Sequence, residues 1–400
     1  MSDIRTFVDS IFDELVAIRR DIHAHPETGM RETRTAALIR SELEKMGVDE
    51  IQQPLPTAVV ALIHGKKGAG KCVALRADID ALPVHEETGL PFASVNEGVM
   101  HACGHDLHTT VLIGAARLLK EYQNDLCGTI KLIFQPAEEV MTGAAKTITN
   151  GALETPKPDF ILACHTWPDM PAGSIGVRKG TMLGASDSFK VKVIGKGGHA
   201  AHPQKGIDPV VIAAHIITQL QTIVSRRVAA IDPVVVTVGH LEAGTAANII
   251  PNEAYFEGTV RTQSNETRNH VAEILKQLAI GTARAMGGDA EVSYTFGVGP
   301  TISEDHLVDE ISEAVTELLG NDKLLQVPSP SMGSEDFARY LEHIPGAIFR
   351  LGTHNDTPES KLALHNASLL FDEKAIPAGV AAMVGAAFKI TGSDMSVLLK

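Results

Sequence analysis

Four hundred residues, 44% hydrophobic and 21% charged, describe an ordinary globular chain with length enough for two domains and a dry core. A net charge of −14 with no basic stripe argues against nucleic acid as a partner, and four scattered cysteines do not make a disulfide framework. The opening "MSDIRTFVDSIFDEL" is acidic and amphipathic, unlike a signal peptide, and no uninterrupted apolar run is long enough to span a bilayer. A cytoplasmic protein with no membrane partner is expected.

In chain order, helical spacing covers 3–22 and 32–47, and "AVVALIH" (58–64) and "CVALRAD" (72–78) read as strands. A helix is predicted over about 107–120, a strand at 129–135, a helix near 143–153 and a strand at 160–166. Strands alternating with helices imply an α/β sheet covered by helices. The middle of the chain changes style. "SFKVKVIGKGG" (188–198) alternates with period two, as a half-exposed strand does, before a helix over about 209–227. Strands at 233–242 and 253–262 and a helix over about 265–286 complete a smaller α+β domain with one open sheet face. Helices near 305–319 and 334–342, a strand at 347–352 and a helix over about 375–390 return to the first style. The predicted architecture is a discontinuous domain, 1–183 with 297–400, interrupted by an inserted domain, 184–296.

"GKKGAGK" (65–71) imitates a phosphate-binding loop. That motif continues with Ser or Thr and then a helix, whereas here Cys72 opens an apolar strand, so a turn between strands explains it better.

"HACGHDLH" (101–108) packs three histidines, a cysteine and an aspartate into eight positions. In an open α/β sheet, ligands collect beyond the carboxyl ends of the strands. Asp78 ends one predicted strand, Glu138 and Glu139 follow another, and His165 ends a third. With Cys103 and His105 they make a thiolate, imidazole and carboxylate set suited to zinc, manganese or similar ions. Each has an ordinary alternative: a turn-forming Asp, a solvated loop His, a packing Cys, a surface Glu pair. Their coincidence at three strand ends favours metal. The Glu pair also has a mechanistic logic, because one carboxylate can bind metal while its neighbour serves as base toward a water that the metal has acidified.

"HACGHDLH", "FQPAEE", the His of "ACHTWP", "GKGGHAAHP", "GTAANIIP" and "ALHNASLLF" together resemble the M20 metallopeptidase family. The likeness is to its amidohydrolase branch of N-acyl-amino-acid, hippurate and auxin-conjugate hydrolases, and it runs from "RRDIHAHPE" (19–27) to the C-terminal helix. The resemblance implies two divalent metal ions per subunit, Zn or Mn first and Co or Ni as alternatives. It assigns their ligands as Cys103, His105, Glu139, His165 and His365, with Cys103 shared between the ions. It makes Glu138 the general base and Asp78 the aspartate that orients a ligand without binding metal. His199 would stabilise the oxyanion, and Asn248 and Arg261 would face the substrate, Arg261 through paired hydrogen bonds to an α-carboxylate. The inserted domain would be a lid and dimerisation domain, giving a homodimer or a tetramer. The implied reaction is hydrolysis of small N-acyl-L-amino acids, with a dipeptidase or carboxypeptidase as the rival. One departure stands out: "EEVMTGA" places Val140 and Met141 where the family commonly has glycines, which bears on the acyl pocket.

Overall fold

The computed structural model describes residues 3–400, in two compact units. The first holds the chain up to Gly180, Ile302–Ser329 and Asp336–Lys400; the second holds Thr181–Thr301 and Pro330–Glu335.

The first unit is built on a mixed eight-stranded sheet. Its centre is four parallel strands in the order Cys127–Gln135, Gly68–Asp78, Phe160–Pro171, Gly346–His354. Ala58–His64 and Glu50–Leu55 extend one edge antiparallel, and Ile175–Val177 and Leu324–Gln326 extend the other. On Gly68–Asp78 the side chains divide by parity, as a pleated strand requires. Val73, Leu75 and Ala77 join the apolar core beneath the helices Ile4–Ala24, His105–Glu121 and Ile376–Thr391. Arg76 and Asp78 point to the other face and are fully buried there, so that face carries charge in the interior.

The turn after His64 runs directly into the strand Gly68–Asp78, so no helix N-terminus faces the Gly/Lys-rich stretch. Residues Glu373–Thr391, although interrupted by charged residues, are long and apolar enough by composition to cross a membrane, but 78% of that stretch is buried in the protein. Its apolar character is that of a helix packed between the sheet and the helices Ile4–Ala24, His105–Glu121 and Asp305–Leu319.

The second unit is a four-stranded antiparallel sheet in the order Val234–Ala243, Glu253–Thr262, Ala185–Ile194, Asp289–Val298. Phe189, Val191 and Val193 face the helices Pro209–Thr222 and Asn265–Ala285, while Lys190 and Lys192 on the open face pair with Glu257 and Glu253. Asp208 and Ser264 cap the two helices by accepting backbone N–H groups of the first turn.

Candidate metal centre

Parallel strands bring their carboxyl ends to one side of a sheet, and the candidate residues gather there. Gly104 is the N-cap of the His105–Glu121 helix with φ 85°, and a Cβ on it would meet Thr166 Oγ1 at 2.7 Å. Only glycine fits that approach, which sets Cys103 and His105 against the Phe160–Pro171 strand. Thr166 fastens the turn from its side, its hydroxyl donating to the Cys103 carbonyl at 2.7 Å. His365 arrives from a distant loop, its backbone N–H donating to the Ala102 carbonyl at 2.9 Å and its φ at 69°.

Cys103 Sγ lies 3.6 Å from His165 Nε2, His105 Nε2 lies 3.8 Å from Glu139 Oε1, and His365 Nε2 lies 3.5 Å from the same oxygen. Donor atoms of Cys103, His105 and His165 fall within 4.8 Å of one another, as do those of Cys103, Glu139 and His365. The two groups therefore overlap at Cys103.

Among the described residues, His105 Nε2 and Glu139 Oε1 are buried with no hydrogen-bond partner, which is costly unless a cation satisfies them. The other ring nitrogens are already committed: His165 Nδ1 donates to the Thr166 carbonyl at 2.8 Å, and His105 Nδ1 meets Asp80 Oδ1 at 3.2 Å. Both imidazoles thus turn Nε2 toward the cluster, that of His105 bare and that of His165 facing the Cys103 sulfur, the arrangement a metal-binding histidine needs. The residues fit divalent ions.

Electrostatics agree. Burial, aided by the charge of Glu139, pushes the Cys103 thiol well above its ordinary value. Burial pushes Glu139 up to about 7 against the pull of His105, and holds His165 down to about 3, a neutral ring ready to donate a lone pair. A thiol and a carboxyl that resist ionisation together are what a bound cation reverses.

Asp78 does not orient His105. Its Oδ1 sits 2.5 Å from His108 Nδ1 and its Oδ2 accepts from Arg76 at 2.7 Å, whereas His105 Nε2 is 3.7 Å away. Burial opposes its charge, but His105, Arg76 and His108 hold Asp78 well below the usual carboxylate range. His108 in turn accepts the Thr166 N–H on Nε2 at 2.8 Å, so both its nitrogens are used. The contact expected of Asp78 is made by Asp80, two residues on: besides His105, it accepts the N–H groups of Glu138 and Glu139, each at 3.1 Å.

Glu138 is 3% exposed and its Oε1 accepts the Asp336 N–H at 3.2 Å. Its carboxylate falls in one group with His105 and Glu139. The loop that presents the pair is held from below by Glu32, whose Oε1 accepts from Ala137 N at 2.8 Å and Met30 N at 3.0 Å. Asp336 anchors its far end, accepting from Ala144 N, Arg76 and Gln135. Asp106, beside His105, is tied to the first helix by Arg19 and His23, each at 2.8 Å, which accounts for "RRDIHAHPE". His101 is buried without a partner on either nitrogen, and burial holds it down to about 3. Asp80, Glu32 and Asp336 escaped the sequence reading. Only Asp80 carried a signal there, as the second acid of "RADIDALP".

His199, Asn248 and Arg261 lie in the second unit. Gly198–His199 pairs with Ile249–Ile250, and the Ala200 N–H donates to the Asn248 carbonyl at 3.1 Å, so His199 and Asn248 are neighbours. The Ala201 N–H donates to His199 Nδ1 at 3.1 Å, which places the proton of the neutral ring on Nε2. Arg261 donates to Ser334 Oγ at 2.9 Å and forms no ion pair among the described residues; Asp187, whose charge acts on it, is engaged by Arg268 at 2.6 Å.

A largely buried thiol–imidazole–carboxylate cluster at the carboxyl ends of parallel strands, with a second glutamate beside it, defines a metal-binding hydrolase class. The sequence matches the model of Peptidase family M20/M25/M40 over residues 74–389, and the chain belongs to that family. It is 42% identical over 365 residues to the N-acetyl-L-cysteine deacetylase of Bacillus subtilis (strain 168), covering 91% of this chain and 85% of that one. It is 36% identical over 382 residues to thermostable carboxypeptidase 1 of Saccharolobus solfataricus, covering 95% and 96%. Among solved structures, a Bacillus subtilis protein described as a dinuclear metal-binding peptidase of the M20 family superimposes with a TM-score of 0.84 at 36% identity, over 96% of this chain and 100% of that one.

Proposed function

We propose that the chain is a dimetal amidohydrolase that cleaves the amide of N-acyl-L-amino acids to a carboxylate and a free amino acid. The observation that carries this reading is the overlap of two donor groups at Cys103, with orphaned His105 Nε2 and Glu139 Oε1 facing the same space. The relative named as a deacetylase of an N-acetyl amino acid supports it. Cys103, His105, Glu139, His165 and His365 hold the ions, with Zn or Mn suited to the mixed S, N and O set and Co or Ni compatible with it. When bound, such ions polarise an amide carbonyl and acidify a water.

The protein's own groups do the rest. Glu138 accepts the proton of the attacking water and returns it to the departing nitrogen. His199 donates from Nε2 to the oxygen that gains charge, and Asn248 and Arg261 hold the substrate, Arg261 by its α-carboxylate. The second unit acts as lid and dimer contact, making a homodimer, or a tetramer built from it, that works in the cytoplasm.

Amine release from N-acyl amino acids by metal-loaded wild type and Glu138→Ala, with metal content measured on both, tests the reading. The variant keeps its metal and loses at least about 100-fold in rate. Equal rates would remove Glu138 as base. The relatives named carboxypeptidases favour a second reading, a peptidase using the same centre. Blocked dipeptides in the same assay separate the two, since a peptidase turns them over faster than simple N-acyl amino acids.

A further inference from the structure

Arg350 lies on the Gly346–His354 strand, directly across from His165 on the neighbouring parallel strand, so both side chains project from the same face of the sheet. That face carries the candidate metal centre. Arg350 is only 8% exposed, yet it has no ion pair or hydrogen bond among the described residues, and its Nε is completely enclosed. It stacks on Trp167, the guanidinium carbon standing 3.6 Å from the centre of the ring. Trp167 itself lies edge-on to His165 with ring centres 6.1 Å apart, so the guanidinium is no farther from that ligand than these two distances together.

A buried cation without a counter-ion is unfavourable, and the neighbours on this strand show what packing alone selects: Ile348, Phe349 and Leu351. Burial lowers the pKa of Arg350 to about 10, with Asp169 pulling it up and Arg178 pushing it down, so it remains charged at neutral pH. Stacking fixes the plane of the guanidinium and leaves its edge, with the terminal nitrogens, to receive a planar anion. Those nitrogens are absent from the fully enclosed unsatisfied atoms, so they reach accessible space.

We propose that Arg350 stacked on Trp167 is an anion subsite beside the metal centre, and that it takes a second carboxylate of the substrate. The preferred substrates are then N-acyl amino acids with an acidic group beyond the α-carboxylate, a short carbon chain from the scissile amide. This deepens the amidohydrolase reading and rests on it. Arg350 sets specificity and takes no part in proton transfer.

Trp167 is the only tryptophan of the chain, so its fluorescence reports on this position alone. Metal-loaded wild type, Arg350→Met and Arg350→Lys are titrated with glutarate, and with butyrate as the monocarboxylate control. In wild type glutarate changes the emission at a concentration at least about 10-fold below butyrate, Arg350→Met abolishes that difference and Arg350→Lys keeps part of it. In kinetics, Arg350→Met raises KM for N-acetyl-L-glutamate or N-glutaryl-L-alanine at least about 10-fold more than for N-acetyl-L-alanine. No preference for glutarate in wild type, or an equal KM change on all three substrates, overturns the subsite and leaves Arg350 a packing residue. If no N-acyl substrate is turned over, the amidohydrolase reading fails, and the fluorescence titration alone decides the subsite.

Discussion

The carboxylate of Asp80 collects three contacts that converge on the candidate centre: His105 Nδ1 at 3.2 Å and the N–H groups of Glu138 and Glu139 at 3.1 Å each. It fixes a ligand ring and the two glutamates with one planar group, so an amide in its place must turn an N–H₂ toward at least one donor. Asp80→Asn is therefore expected to weaken metal binding by about 10–100-fold, read by competition with a chelator of known affinity. Asp78→Asn is expected to act on stability instead, costing about 3 kcal/mol in unfolding, because it weakens the buried Arg76 and His108 contacts. If Asp78→Asn proves the one that releases metal, the assignment of the two aspartates reverses. Both acids stand in "RADIDALP"; the resemblance takes Asp78 as the one that orients a ligand, whereas the acid that contacts His105 Nδ1 is Asp80. Asp78 ends the strand Gly68–Asp78 and Asp80 lies just beyond it, and which of them reaches a ring on a separate helix depends on the distance between the elements, which no spacing encodes.

At the scale of elements, the loop from Pro136 to Gly143 is where the backbone is most constrained. Ala137 and Met141 adopt φ of 57° and 56°, and a Cβ on Gly143 would stand 1.6 Å from the Pro136 carbonyl oxygen. Met141 thus takes a conformation that glycine adopts freely, at the point where the sequence departs from its family's glycines. Beneath this loop Glu32 is fully buried, and burial raises it to about 7. Its folded value exceeds its ordinary 4.5, so the folded state binds the proton more tightly. The stability this contributes is complete below the unfolded pKa and is lost as pH rises toward the folded one. Unfolding in urea should show wild type losing, between pH 4.5 and 7, on the order of 3 kcal/mol relative to Glu32→Gln, whose side chain keeps an acceptor but no charge. Parallel pH profiles for the two proteins would show that Glu32 does not titrate there. The buried strands were legible because apolar runs such as "AVVALIH", next to the sheet edge, and "CVALRAD", at its centre, mark them. Glu50–Leu55 and Asp289–Val298 were not, since both are edge strands whose half-exposed, polar sequences lack the apolar signal. The helix expected at 334–342 shrinks to Ala338–Leu341 because Asp336 is held by Arg76, Gln135 and the Ala144 N–H instead of continuing a helical turn.

At the scale of the whole molecule the described residues carry two apolar clusters, one against each of the two larger sheets, and all five candidate ligands belong to the first unit. Those ligands come from four stretches of sequence far apart along the chain. The rule that sites form at the carboxyl ends of parallel strands points to two of these stretches, those of Glu139 and His165, whereas Cys103 and His105 stand out by the clustered donors of "HACGHDLH" and His365, on a loop with no strand to place it, is assigned only by resemblance. Because only one cluster supports the centre, metal should stabilise the two units unequally. An ion bound to the folded but not the unfolded chain adds about 2.7 kcal/mol at a free concentration 100-fold above its Kd. Calorimetry of the metal-loaded protein, before and after treatment with a chelator, should therefore show one transition moving down by several degrees while the other stays within about a degree. Cys103→Ala should imitate the chelator at the same transition and make further chelation nearly silent. If both transitions move together, or the protein melts as one unit with and without metal, the two clusters are a single cooperative structure and the centre stabilises the entire chain.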